Sequence, residues 1–259
     1  MITARALSVT YPGKSEPALQ VSELEIRRGE FVAIVGANGS GKSTLLKAIA
    51  GALDYSGDIS VAGRDLRALS GPERARLIAY LPQSRPVPQI TVRMLIAHGR
   101  FPHLGFSKTL QPRDEEIIER AAREAGVTDL LDSGVPDLSG GERQRAYLAM
   151  CLAQDAEVIL LDEPTTFLDV QYQVELLEIL ARQNRGGAGK TIVLVSHDLP
   201  QAFTIASEIK LIARGTLAAQ GAPSEIYSHP AIAQSFGAQL LPQPQPDALF
   251  KYYLGTSRS

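Results

Sequence analysis

Nine residues constrain this chain more than any others: Gly36-Ala37-Asn38-Gly39-Ser40-Gly41-Lys42-Ser43-Thr44. They fit G-x-x-x-x-G-K-[ST], the loop that cradles phosphate groups. The apolar run Phe31-Val32-Ala33-Ile34-Val35 precedes them and reads as a buried parallel strand. Leu45, Leu46 and Ile49 follow at helical spacing, with Gly51 as a stop. Strand, glycine loop and helix start together turn backbone N–H groups and a helix N-terminus toward an anion. In that setting Lys42 reaches the β- and γ-phosphates of a nucleotide, and the Ser43 hydroxyl binds Mg²⁺.

Bulk properties remove several alternatives. The 259 residues make one large domain, or one with a sub-domain, and 44% apolar content is ample for a core. A net charge of −2 gives no basic surface to announce nucleic acid. One cysteine, Cys151, forbids an internal disulfide and sits among Ala149, Met150 and Leu152 as a buried thiol would. No apolar stretch reaches the ~18–20 residues that span a bilayer. The N-terminus carries no secretory leader pattern, so a cytosolic chain reaching a membrane only through a partner is expected.

Taken in order, residues 1–30 alternate around Leu7, Val9 and Tyr11, turn at Pro12-Gly13, and alternate again at Leu24 and Ile26. These predict antiparallel strands flanking the phosphate-loop strand. Tyr11 can stack on a base or pack as an ordinary aromatic, and spacing does not choose. Asp58–Val61 is another strand, Glu73 to Ala79 a helix, and Ile78–Leu81 an apolar run that ends at Pro82-Gln83. Gln83 is either a solvated loop residue or a polar group held near a site.

From about 90 to 157 the pattern is helical, clearest after Pro112, and reads as an insertion in the α/β unit. Ser139-Gly140-Gly141-Glu142 opens one of these helices, as ordinary capping or as a second anion site. Val158-Ile159-Leu160-Leu161 is a buried strand ending in Asp162-Glu163. Two carboxylates there meet a cation or face the crevice at the carboxyl edge of a sheet. Asp162 would hold Mg²⁺ and Glu163 would deprotonate a water. A third strand, Thr191–Val195, ends at Ser196-His197-Asp198, so His197 shares that edge and can be structural or functional. A hairpin over 209–221 and a last helix opened by Pro223 follow. From Leu240 to Ser259, Pro242, Pro244 and Pro246 predict an extended or loosely packed tail.

These stretches together resemble the ATP-binding cassette (ABC) ATPases over roughly residues 1–230. The resemblance rests on 36–44, Gln83, Leu138–Glu142, Val158–Glu163, Leu168-Asp169 and His197, in the family's order. It implies an α/β phosphate-loop core with a parallel sheet, an N-terminal antiparallel β subdomain and an inserted helical subdomain at about 90–157, with 231–259 as a tail. It further implies ATP and Mg²⁺ bound in a head-to-tail homodimer. Gly36, Asn38, Gly39, Ser40, Gly41, Lys42, Ser43 and Thr44 of one subunit would face Ser139, Gly140, Gly141 and Glu142 of the other. Tyr11 would stack on adenine and Asp169 would cross the dimer contact. Gln83, with Ser43 and Asp162, would attend Mg²⁺, and His197 would hold the γ-phosphate. Glu142 stands where many members have glutamine.

A finer likeness points to ATPases of ferric-siderophore, haem and cobalamin importers. It is carried by Pro164-Thr165-Thr166-Phe167-Leu168-Asp169, by His197-Asp198-Leu199 with Gln201-Ala202, and by His98-Gly99-Arg100 before Pro102-His103. The partners so implied are a dimeric permease at the cytoplasmic face of the membrane and, indirectly, an extracytoplasmic substrate-binding protein. A non-transport cassette ATPase, in iron–sulfur assembly or DNA repair for instance, is the competing reading. The chain has neither a long coiled-coil insertion nor a second cassette.

Overall fold

A computed structural model of the chain describes residues 1–105, 109–166, 168–185, 189–244 and 250–256. Phe167 and Pro246, both named above, lie outside them. The chain divides into two compact units, one of Met1–Ala68 with Thr191–Ser259, the other of Leu69–Lys190.

The first unit opens with β1 (Ile2–Val9) and β2 (Leu19–Ile26), antiparallel with Ile2 opposite Ile26 and Val9 opposite Leu19. Burial along β1 runs Ile2, Ala4, then Leu7, Val9, so the inward parity slips once. The slip is a bulge between Arg5 and Ser8, where Ala6 has φ 47°. Next come β3 (Phe31–Val35), buried at every position, and α1 (Lys42–Ile49). Beyond them β4 (Ser56–Val61) pairs with β1, and β5 (Arg64–Asp65) pairs with β4. The N-terminal strands thus form their own sheet, β2-β1-β4-β5. They do not flank the phosphate-loop strand as the alternation suggested.

In the second unit, α2 (Gly71–Leu77) starts with a capping box between Ser70 and Glu73 and passes directly into β6 (Ile78–Leu81). The expected helix over 73–79 ends two residues early, because Ile78 and Ala79 are buried strand residues. Three helices follow: α3 (Val92–His98), α4 (Pro112–Glu124) and α5 (Gly140–Ala153). Ile117, Ile118, Ala121 and Ala122 form the buried face of α4, and Arg100 meets Asp114 at 2.9 Å, both buried. Next, β7 (Val158–Asp162) runs parallel to β6, Ile78 opposite Val158, and α6 (Val170–Arg185) follows.

The chain returns to the first unit with β8 (Thr191–Val195) and α7 (Leu199–Ile205). Then β9 (Glu208–Ala213) and β10 (Thr216–Gly221) form the hairpin turned at Arg214-Gly215. The strands on either side of β3 are β8 and β9, both parallel to it. Parallel strands covered on both faces must be apolar throughout, which is why β3 and β8 show no alternation. Two short helices, α8 (Pro223–Ile226) and α9 (Pro230–Phe236), replace the single last helix expected. The tail is also more regular than its prolines suggested. Strands β11 (Ala238–Pro242) and β12 (Tyr252–Thr256) pair antiparallel, and Tyr252 packs against Phe203 of α7 and Tyr227, with ring centroids 5.6 and 5.9 Å away. Among the described residues, no helix is long and apolar enough to cross a membrane.

Candidate active site

Within the first unit, β3 and β8 are parallel neighbours, so the segments at their carboxyl ends share one edge. The phosphate loop leaves β3 and His197 follows β8, exposed, one residue before Asp198 caps α7 through the Gln201 N–H at 2.9 Å. Gly36 cannot be another residue. A Cβ there would stand 2.1 Å from the Ile212 carbonyl and 2.6 Å from Ser40 Oγ. Gly41, at φ 108°, is the N-cap of α1 and offers no side-chain cap. No acid occupies the first turn of that helix, so its own side chains add no negative charge to its positive end.

Lys42 is 4% exposed, and its Nζ donates to the carbonyls of Gly36 and Ala37 at 2.9 and 3.0 Å. The buried Ser40 Oγ has no hydrogen-bond partner among the described residues. An orphaned hydroxyl beside a buried ammonium on a glycine cradle fits a bound polyphosphate. Tyr11 is half-buried, and its hydroxyl lies 3.0 Å from Thr44 Oγ1, which ties the ring to the start of α1. Asn38 and Gly39 are exposed at the loop tip, and Ser43 is half-buried in the first turn.

The second unit holds the other residues, again at the carboxyl ends of paired parallel strands. Gln83 follows β6, and Asp162 and Glu163 stand at and just beyond the end of β7. Asp162 is 2% exposed. Glu163 is a non-glycine residue at φ 49°, a backbone position that costs free energy and persists only when its surroundings hold it. Gln83 Nε2 donates to Glu163 Oε2 at 2.8 Å, and the Thr166 hydroxyl donates to the same oxygen at 3.3 Å. The carboxylate is aimed by two donors and keeps acceptor capacity. Asp169 is exposed and precedes α6, whose Gln173 N–H donates to its carbonyl at 3.0 Å.

Ser139 caps α5. Its Oγ accepts from the Glu142 N–H at 3.3 Å, and Glu142 Oε2 accepts from the Ser139 N–H at 2.9 Å. Glu142, grouped from sequence with the nucleotide ligands, is therefore half of a capping box. The Ser139 hydroxyl and then its N–H hold the Glu142 carboxyl below the usual carboxylate range.

Sequence reasoning passed over three residues beside Gln83 and Glu163. Arg85, Gln144 and Tyr147 line a cavity of about 400 Å³ together with those two. The signal was present: Gln144 is a polar residue one helical turn from Gly141, Tyr147 and Leu148 on the buried face of α5. Burial pushes the Arg85 guanidinium down and the Tyr147 hydroxyl up. It pushes the Cys151 thiol up to about 12, leaving an inert structural cysteine.

Residues 19–166 match the family model described as ABC transporter. The chain belongs to the ABC transporter family. Membership makes it an ATPase cassette, with the α/β phosphate-loop core and separate antiparallel sheet seen above. It is 41% identical over 220 residues, 84% of this chain and 81% of the relative, to the ferric enterobactin transport ATP-binding protein FepC of Escherichia coli (strain K12). It is 39% identical over 247 residues, 95% and 91% of the two chains, to the achromobactin transport ATP-binding protein CbrD of Dickeya dadantii (strain 3937). Among solved structures, the dimeric ATP-binding cassette MJ0796 in a post-hydrolysis state with ADP and Pi matches with a TM-score of 0.77 at 26% identity. That match covers 86% of this chain and 99% of the other.

A resident metal cage is not expected of such a cassette, and no group of three or more His, Cys, Asp or Glu suited to one occurs among the described residues. Mg²⁺ that travels with a nucleotide needs only a carboxylate or two and the phosphates themselves. Of the residues named from sequence for Mg²⁺, Ser43 belongs to the first unit, and Gln83 and the buried Asp162 to the second.

Proposed function

We propose that this chain is the ATP-hydrolysing subunit of an importer for an iron complex, a ferric siderophore above all, with haem or cobalamin as related cargoes. It works as a homodimer on a dimeric membrane permease, peripheral to the cytoplasmic face, and receives cargo through the permease from an extracytoplasmic binding protein. Residues 1–230 form the ATPase domain, with the helical insertion at about 90–157, and 231–259 an appended tail. The relatives named for siderophore transport support the cargo class, and they align over most of this chain. The observation that carries the catalytic reading is Glu163, held in a left-handed conformation with Gln83 hydrogen-bonded to its carboxylate.

Chemically, Tyr11 stacks on the base, and the loop from Gly36 to Thr44 receives the phosphates through its N–H groups and the Ser40 hydroxyl. Lys42 exchanges two backbone carbonyls for β- and γ-phosphate oxygens, which suit an ammonium better. Ser43, Asp162 and Gln83 would hold Mg²⁺, which would supply positive charge against the phosphates. Glu163 accepts a proton as a water oxygen bonds to the γ-phosphorus and the β–γ bridging bond breaks, releasing ADP and phosphate. His197 donates to a γ-phosphate oxygen. Ser139, Gly140 and Gly141 of the second copy close the site over the same phosphate, and Asp169 crosses the contact.

Replacing Glu163→Gln should lower hydrolysis by roughly 10²–10⁴-fold while ATP binding persists. In cells lacking this chain, radiolabelled ferric-siderophore uptake should return with the native sequence and not with Glu163→Gln. Near-native hydrolysis in the variant would end the general-base assignment. Uptake unaffected by loss of the chain would end the cargo assignment.

A further inference from the structure

We infer that Gln144 is a positioning residue for Glu163, a two-sided clamp between the segment after β6 and the turn after β7. This rests on Glu163 being the general base. Gln144 lies one turn inside α5 and is 8% exposed. Its Nε2 donates to the Pro164 carbonyl at 2.7 Å, and its Oε1 accepts from Arg85 Nη2. The Arg85 guanidinium lies 4.5 Å over the ring of Tyr147, whose hydroxyl donates to the Pro86 carbonyl. Helix α5 therefore grips residues 85 and 86 on one side and 164 on the other. These are close chain neighbours of Gln83 and Glu163, whose side chains meet at 2.8 Å.

Chemistry at position 144 argues for a clamp over simple core filling. The half-buried guanidinium would be better matched electrostatically by a glutamate than by a neutral amide. An ionised glutamate accepts hydrogen bonds and donates none, whereas an amide of that length accepts from Arg85 and donates to Pro164 at once. The donor half anchors the carbonyl of Pro164, the residue just after Glu163, where a left-handed backbone must be held from outside. Because Gly140 and Gly141 form the first turn of the same helix, a phosphate engaging that end acts on the same rigid element that holds the turn carrying Glu163.

The test compares Gln144→Met, Gln144→Glu and Glu163→Gln in the full chain, by steady-state hydrolysis, ATP binding and thermal unfolding. Both Gln144 variants should lower kcat by roughly 10–100-fold, the range expected of a small misplacement of a reacting group, with little change in KM for ATP. Introduced into Glu163→Gln, Gln144→Met should cause no further fall in the residual rate, because its effect passes through Glu163. Should the methionine unfold the chain, Gln144→Glu, nearly isosteric, carries the test. Native kcat in both variants would overturn the clamp, as would native kcat in Gln144→Glu alone, since the donor would then be dispensable. A multiplicative fall in the Glu163→Gln background would overturn it too, by showing a general structural role. Native turnover in Glu163→Gln itself would instead overturn the base assignment, whatever the Gln144 variants do.

Discussion

Helix α1 begins at Gly41 with no side-chain cap and no acid in its first turn, whereas α5 begins at Ser139 with a complete capping box closed by Glu142. Both starts combine glycine with a helix dipole, the general recipe for an anion site. The first presents a buried ammonium and an orphaned hydroxyl beside its N–H groups. The second already carries a carboxylate at its positive end. A free polyphosphate would therefore choose α1, and α5 would join only a phosphate already held elsewhere. The glycines differ in the same sense. Gly36 is demanded by the chain's own backbone at 2.1 Å, while a Cβ on Gly140 would meet nothing within 4 Å.

The largest effect on ATP affinity of the single chain should come from Lys42, the residue that most separates the two ends. Lys42→Ala removes charge-assisted hydrogen bonds to phosphate, each worth about 1.5–3 kcal/mol. ATP affinity of the single chain should fall roughly 10–150-fold for one such bond, measured by calorimetry. Unchanged affinity would mean that the phosphate loop is not the primary nucleotide site.

Gly140 sharpens the contrast. With open space around it and no left-handed φ, Gly140→Ala satisfies helix propensity and should stabilise the fold by up to about 0.5–1 kcal/mol in urea unfolding. ATP affinity of the single chain should be unchanged. Hydrolysis and ATP-driven dimerisation should nevertheless fall, since the added methyl occupies room that only a partner's phosphate would need. Gly140→Asp, which adds charge as well, should abolish both. Full hydrolysis in Gly140→Ala would show that the glycine serves no incoming group, and the two helix starts would then not cooperate.

The same contrast explains what could be read from the residues and what could not. The phosphate loop was legible because local demands — an apolar strand, fixed glycines, a lysine and a helical run — sit within twenty positions. The carboxylate pair was legible because charge ending a buried strand has few explanations. Contacts distant in sequence were hidden. The hydrogen bond from Gln83 to Glu163 spans 80 positions and that from Gln144 to Pro164 crosses a strand, so no local pattern announces them. The bulge at Arg5–Ser8 shifted the alternation of β1, and grouping the N-terminal strands with β3 followed from proximity along the chain alone. In the tail, Pro242 ends β11 opposite Tyr252, a place where a missing N–H is tolerated, so counting prolines underrated the strand.

The smallest effect concerns the residue that makes the two ends unlike. Glu142→Gln removes the carboxylate and keeps a side chain that can accept the Ser139 N–H, as capping boxes with glutamine do. At neutral pH the native chain should be the more stable by about 0.3–1 kcal/mol, the range for an acid at a helix N-terminus. The sign of its pH dependence follows from the carboxyl being held below its ordinary value of 4.5 by Ser139. A group depressed in the folded state adds stability above its unfolded value, and loses it as pH falls through the folded one. The gap in urea midpoint between native chain and variant should therefore be full at neutral pH and close on the acid side of the carboxylate range. A gap that stays constant on acidification would place the stabilisation in side-chain shape instead of charge. Removal of the carboxylate also makes the start of α5 more like that of α1. In the variant, ATP-driven dimerisation should need no more nucleotide than in the native chain. A requirement for more would mean that Glu142 assists the approaching phosphate instead of merely capping its own helix.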